Sequence, residues 1–294
     1  MARNNNTLKK FTLDLHPLHE DCRYQLPRSI FSLHHLMDLN IIWCDFDFGS
    51  ISNGFGSLTS LYLTAVSIYK KALLRLLSSY PSLKCFELVQ MIDPTEVDEV
   101  TNIELLICLP MIEHLSFYGW IDQHFTQNSN PKELPNALVH LKYFLLEEMM
   151  FFDEYGLDFL CLVMRSSPNL KKIKLQVNIE YPEDFEVPEN SMIKSVSLES
   201  CSNIWLEHLE ELDIREFSTV LCVMEFMKLI LAKYPVLKKV HLVLESSVTK
   251  DKDLEISRIL TSFPRVSPLA EIIVKSRFSR RGVNICLASA IQLS

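Results

Sequence analysis

Leu36-Met-Asp-Leu39-Asn-Ile41-Ile-Trp-Cys44 is the stretch on which the reading of this chain turns. Apolar residues at its first, fourth and sixth positions and a cysteine at its ninth follow the leucine-rich-repeat pattern L-x-x-L-x-L-x-x-[N/C]. Leu170-Lys-Lys-Ile173-Lys-Leu175-Gln-Val-Asn178 repeats it with one isoleucine, and Ile193-Lys-Ser-Val196-Ser-Leu198-Glu-Ser-Cys201 repeats it with β-branched replacements. Looser versions start at Leu8, Leu58, Leu83, Ile112, Leu138, Leu209, Leu237 and Leu269. Any single start matches three apolar positions by chance about 0.11 of the time in so apolar a chain. Their order is what carries weight. The eleven starts are separated by 28, 22, 25, 29, 26, 32, 23, 16, 28 and 32 residues, inside or close to the period of about 20 to 29 residues of such repeats.

Several starts follow a helix-like run that ends at proline. Lys71 to Ser79 leads into Pro81-Ser-Leu83, Asp158 to Ser166 into Pro168-Asn-Leu170, and Met224 to Lys233 into Pro235-Val-Leu237. Proline moves its predecessor out of the helical region, so the chain turns from helix into strand. A further helix is expected over Leu254 to Thr261. The expected fold is therefore α/β: a leucine-rich-repeat solenoid of about ten or eleven repeats, with a curved parallel sheet on the concave side and helices and turns on the convex side. No repeat closes its own core, so stability comes from stacking.

Composition narrows the function classes. The chain has 294 residues, 48% of them hydrophobic, and a formal charge of −8. That balance makes nucleic acid an unlikely partner, because phosphate backbones need a cationic footprint. Six glycines form no phosphate-binding loop and no Gly-x-Ser-x-Gly elbow. No apolar run is long enough to cross a membrane, and no apolar signal segment opens the chain. The eight cysteines are scattered without C-x-x-C, so reduced thiols in cytoplasm or nucleus are expected.

From these segments the chain resembles the plant F-box/FBD/LRR-repeat protein family. Asn6-Thr-Leu-Lys-Lys-Phe-Thr-Leu-Asp14, Leu26-Pro-Arg-Ser-Ile-Phe-Ser-Leu33 and Phe55-Gly-Ser-Leu-Thr-Ser-Leu-Tyr-Leu63 are similar to its first repeats. Leu206-Glu-His-Leu-Glu-Glu-Leu, Met224-Glu-Phe-Met-Lys-Leu-Ile-Leu, Tyr234-Pro-Val-Leu-Lys-Lys-Val and Ser262-Phe-Pro-Arg-Val-Ser-Pro-Leu-Ala-Glu-Ile-Ile273 resemble its FBD module. The resemblance implies residues 1–205 as irregular repeats and 206–294 as an FBD-like end. It also implies a non-catalytic module that holds a protein substrate for a ubiquitin ligase. Family members begin with an F-box that docks on the Skp adaptor. Here Leu26-Pro27 is followed by no second Leu-Pro within a dozen residues, so adaptor docking is expected only where an F-box is restored. The alternative is an independent intracellular scaffold, or a competitor of full-length relatives.

His16, His19 and Cys22 lie within seven residues, yet zinc needs four converging ligands and no second pair with that spacing follows. No metal or cofactor is expected. What remains is a face. The fifth and seventh positions of the repeats predict a concave surface for a protein partner that includes Asn40, Tyr62, Glu87, Ser116, Tyr118, Lys142, Phe144, Lys174, Gln176, Glu199, Asp213, Arg215 and His241. Its aromatic members are the residue types that anchor protein interfaces.

Overall fold

Parallel strands cannot close on themselves, because each leaves its backbone groups for a neighbour from another repeat. The computed structural model describes residues 8–15, 24–45, 55–91, 101–118, 134–149, 154–178, 201, 203–218, 221–246, 248–276 and 283–285. The chain divides into two units, Met1–Leu141 and Lys142–Ser294. In the first, the order is β1 (Lys10–Asp14), β2 (Tyr24–Gln25), a 3-10 turn (Arg28–Ser32), β3 (Asp38–Ile42), β4 (Cys44–Asp45), β5 (Ser60–Thr64), α1 (Lys70–Ser78), β6 (Cys85–Val89), α2 (Asn102–Ile107) and β7 (His114–Tyr118). Strands β1, β3, β5, β6 and β7 pair in that order, all parallel, while β2 and β4 form a small parallel pair.

The second unit runs β8 (Tyr143–Met149), α3 (Glu154–Ser166), β9 (Lys172–Val177), β10 (Glu211–Phe217), α4 (Leu221–Lys233), β11 (Lys239–Leu244), α5 (Lys250–Ser262), β12 (Glu271–Lys275) and β13 (Val283–Ile285). Here β8 to β12 are parallel neighbours in chain order, and β13 returns antiparallel on β12. Both units are thus built as α/β leucine-rich-repeat solenoids. The helices expected from Lys71, Asp158, Met224 and Leu254 onward are α1, α3, α4 and α5. α2 was not legible as a repeat helix; it starts at a capping box in which Thr101 Oγ1 accepts from the Glu104 amide and Glu104 Oε2 accepts from the Thr101 amide.

One hydrogen-bond device recurs at the head of nearly every strand. The carbonyl of the residue before a strand accepts from two successive amides of the next repeat: Lys9 from Met37 and Asp38, Met37 from Thr59 and Ser60, Thr59 from Lys84 and Cys85, Lys84 from Glu113 and His114. In the second unit Lys142, Lys171 and Glu210 do the same for Lys171–Lys172, Glu210–Glu211 and Lys238–Lys239. Distances are 2.7 to 3.1 Å. Ahead of most heads lies a turn closed by the amide of the first core residue, as in Leu83 N to Tyr80 O and Leu237 N to Tyr234 O.

Behind the sheet, the repeat positions fill the core as expected: Leu36, Leu39 and Ile41 are 0 to 2% exposed, and Phe86 meets Phe117 edge-on at 6.1 Å. Three expectations need correction. The start placed at Leu138 belongs at Leu141, which lies 29 residues after Ile112 and 29 before Leu170. Leu138 is also buried, but it fills the turn position that Tyr80 and Tyr234 fill elsewhere, so one apolar site mimicked the other. At the C-terminal end the buried first position is Ala270, while Leu269 stands 76% exposed, because this turn reaches its strand with one residue fewer. Finally, β9 pairs directly with β10, which leaves no place for a further repeat strand between them; the run from Ile193 to Ser200 itself lies outside the described residues.

The cysteines also depart from expectation. Cys44, Cys85 and Cys108 are free, but Cys161 and Cys201 form a disulfide with Cα atoms 5.5 Å apart. Burial pushes the Cys44 thiol up to about 11, and the thiol donates to the Tyr24 carbonyl at 2.9 Å.

Strands leave the sheet through left-handed residues, none of them glycine: Trp43, Ala65, Gln90, Glu148 and Glu216 have φ of 50 to 58°. At Trp43, Ala65 and Gln90 the amide donates to the last carbonyl of the following strand, at 2.7 to 3.2 Å, which offsets a cost of about 1 kcal/mol per residue. Gln90 is exposed. Gln90→Gly is therefore expected to hold or raise stability by up to about 1 kcal/mol, and Gln90→Val to lower it by about 1–2 kcal/mol, as read by urea unfolding. The turn tyrosines provide a second test. Tyr80 OH accepts from the Phe55 amide at 3.3 Å, whereas Tyr234 OH is buried with no partner among the described residues. Tyr80→Phe should cost about 1 kcal/mol and Tyr234→Phe nothing, or gain up to about 1 kcal/mol, by the same measurement.

Candidate functional site

Alternation along a strand sends every second side chain away from the helices. Register then assembles those side chains into rows across the sheet. In the first unit Thr12, Asn40, Tyr62, Glu87 and Ser116 form one row. The next row is Asp14, Ile42, Thr64, Val89 and Tyr118. Asn40, Tyr62, Glu87 and Tyr118 are half-buried, and Ser116 is buried within its row. In the second unit Lys174, Asp213 and His241 share a row with Leu145 and Ile273, and Gln176 lies beside Arg215 in the row beyond.

Two expected members are not on this face. Phe144 pairs in register with the core residue Ile173, is 0% exposed and packs edge-on against Phe159 of α3 at 6.2 Å. The misplaced start at Leu138 is the reason, since a shift of three residues reverses the parity of a period-two strand. Lys142 precedes β8 and is exposed at its head, where its carbonyl serves the next repeat. Glu199, like the run His16 to Cys22, lies outside the described residues.

The face also carries a row that the fifth and seventh positions omit. It is the third position of each repeat, Lys10, Asp38, Ser60, Cys85 and His114 in the first unit and Tyr143, Lys172, Glu211, Lys239 and Glu271 in the second. Period-two alternation extended one step toward the strand head would have found it. Cys85 and His114 stand side by side there, but burial raises the Cys85 thiol, the opposite of the depressed thiol a nucleophile needs. Among the described residues no group of three or more His, Cys, Asp or Glu side chains is arranged to hold a metal ion.

In the second unit this row is a charge ladder. Successive repeats read Lys171-Lys172, Glu210-Glu211 and Lys238-Lys239, so sign alternates from strand to strand. Lys172 Nζ meets Glu211 Oε2 at 2.7 Å, and Lys238 Nζ meets Glu210 Oε2 at 2.8 Å. These hydrogen bonds hold the carboxyls of Glu211 and Glu210 below the usual glutamate range. A lowered folded-state value adds stability above the ordinary glutamate range, and that contribution is lost as pH falls through the lowered value. Glu147 on β8 goes the other way: burial raises its carboxyl despite Lys174 and Arg215 nearby. Two acceptors on the face stay unsatisfied. Asn40 Oδ1 and Asp213 Oδ1 are buried and have no hydrogen-bond partner among the described residues.

A family model described as FBD-associated F-box protein At5g56370, LRR repeats, matches residues 4–114. F-box/FBD/LRR-repeat protein At1g13570 of Arabidopsis thaliana is 24% identical over 320 residues, covering 91% of this chain and 73% of that protein. The chain resembles the F-box/FBD/LRR-repeat proteins. A crystal structure of a Bacteroides fragilis protein aligns with 76% of this chain and 67% of its own at 12% identity and a TM-score of 0.38, a likeness too distant to bear on the reading. The F-box/FBD/LRR-repeat resemblance agrees with the observed repeat fold. Its family-model portion spans β1 to β6 and stops at the head of β7, so the charge ladder lies beyond that portion.

Glu211→Lys places a third lysine between Lys172 and Lys239 in register. Like charges directly opposite repel, so a loss of about 1 kcal/mol in stability is expected at low salt. Salt of about 1 M shortens the screening length to about 3 Å and should recover part of it. Urea unfolding at the two salt concentrations reads both effects.

Proposed function

We propose that this chain is a non-catalytic protein-recognition module related to the substrate-binding half of an F-box type ubiquitin ligase, and that the open face of its sheet contacts the protein substrate. The observation that carries the reading is the pair of unsatisfied acceptors, Asn40 Oδ1 and Asp213 Oδ1, on faces otherwise lined by half-exposed aromatic and charged side chains. A buried acceptor without a donor is costly, and a partner's donor removes that cost. Tyr62 and Tyr118 supply large, stiff contact area beside Asn40, Glu87 and Val89, and burial raises the Tyr62 hydroxyl, which keeps it a neutral donor. The similarity to F-box/FBD/LRR-repeat proteins supports the ligase setting, and the raised Cys85 thiol supports the absence of covalent chemistry.

The residues 206–294 are proposed as the FBD-like end of the module. The Skp adaptor is proposed as a partner only where an F-box accompanies the repeats. Leu26-Pro27, which imitates an F-box start, leads into the 3-10 turn Arg28–Ser32, with Leu26 and Ile30 buried.

The test begins with crosslinking capture from a plant extract and purification of the captured protein. Its dissociation constant is then measured on the wild-type chain and on variants. Tyr62→Ala and Tyr118→Ala are each expected to weaken binding by about 30-fold, the size of an interface hot spot. Both tyrosines are half-buried, so each variant should also lose about 1 kcal/mol of stability while staying folded, as read by urea unfolding. Leu254→Ala, on the helical side at α5, should leave binding unchanged. Equal affinity for all four chains removes the face from the recognition reading, and co-elution of this chain with purified Skp adaptor would place an adaptor site within the repeats.

A further inference from the structure

We infer that Cys161 and Cys201 form a reversible redox clasp that fastens two successive repeats of the second unit on their helical side. Cys161 lies on α3, the helix that follows β8, and Cys201 lies just ahead of the turn into β10. The bond therefore joins the connection from β8 to β9 with the connection from β9 to β10, two steps that are neighbours in the sheet. Its Cα atoms are 5.5 Å apart, a separation that a disulfide spans without moving the backbone.

The place in the chain explains why a clasp is useful there. Leu170 and Leu209 head neighbouring strands but are 39 residues apart, against 28 between Leu209 and Leu237. A longer connection costs more entropy to hold closed, and a covalent bond from Cys161, nine residues before Leu170, to Cys201, eight before Leu209, removes much of that cost from the unfolded chain. Cys44, Cys85 and Cys108 are free, and Cys85 stands between Ser60 and His114 in register.

Closure needs an oxidant, and a low-molecular-weight disulfide such as oxidised glutathione is sufficient. One cysteine thiolate attacks glutathione disulfide and releases one glutathione thiolate; the second attacks the mixed disulfide and releases another. The two cysteine thiols give up two protons and two electrons, and one glutathione disulfide becomes two glutathione thiols. Both cysteines are buried, at 1% and 0% exposure, so exchange in either direction requires the second unit to open locally. The clasp thus records the redox state under which the unit last folded, and the inference stands independently of the recognition reading.

The experiment uses the full chain, unfolded and refolded in glutathione buffers of graded oxidised-to-reduced ratio, then quenched in acid, alkylated and digested. Mass spectrometry should find the linked Cys161–Cys201 peptide as the first disulfide to form as the ratio rises. The oxidised chain should melt on the order of 5–10 °C above the reduced one. Native protein should keep the bond in dithiothreitol and lose it once urea is added. Cys161→Ala and Cys201→Ala, made separately, should each abolish the melting difference between oxidised and reduced protein. Absence of the linked peptide across the series, a different first pairing, or a melting difference that survives in either variant overturns the clasp.

Discussion

The head-of-strand carbonyl is the interaction on which the rest of this structure depends. A parallel strand has donors and acceptors on both edges and no hairpin partner to use them on. Here the carbonyl of Lys9, Met37, Thr59, Lys84, Lys142, Lys171 or Glu210 takes two amides from the following repeat at once. Each repeat is thereby aligned by its predecessor before any side chain is considered. Stability in such an arrangement is a sum of neighbour terms, since no repeat buries its own core.

Register transmits that alignment to the side chains. With the heads level, positions three residues apart in the repeat motif meet their counterparts on the next strand, and the core becomes stacked Leu, Ile and Phe rather than a set of separate clusters. The strands must then leave the sheet sharply enough to reach the helical side. Left-handed backbone at Trp43, Ala65 and Gln90 makes that exit, and the hydrogen bond to the last carbonyl of the next strand holds it without glycine. The low glycine content of the chain is consistent with this solution: the turns are stabilised between repeats rather than by local conformational freedom.

The two units use their open faces differently. The first unit mixes hydroxyl, amide, aromatic and charged groups in its rows, with Lys84 Nζ meeting Glu113 Oε1 at 3.0 Å at the strand heads, whereas the second carries the alternating Lys and Glu ladder. In the second unit Lys172 and Glu211, and Lys238 and Glu210, are therefore engaged with each other within the sheet. The charges of this ladder are part of the means by which β9, β10 and β11 recognise one another.

The α/β repeat class, the inward residues of most strands and the helices ending at Pro81, Pro168 and Pro235 were legible in the sequence, because periodicity and proline act locally. Most of the candidate face followed from the same period-two rule, as Asn40, Tyr62, Asp213 and Arg215 show. Phe144 did not, because Leu138 and Leu141 are both apolar and both buried, and only pairing with Ile173 on β9 decides which one heads the strand. Leu269 and Ala270 pose the same ambiguity, resolved when the turn presents Ala270 to the core. The Cys161–Cys201 bond had no signal at all in spacing. Sequence alone determined which residue types alternate and where helices end; tertiary structure decided register and the meeting of distant residues, since both depend on hydrogen bonds and packing contributed by a different repeat.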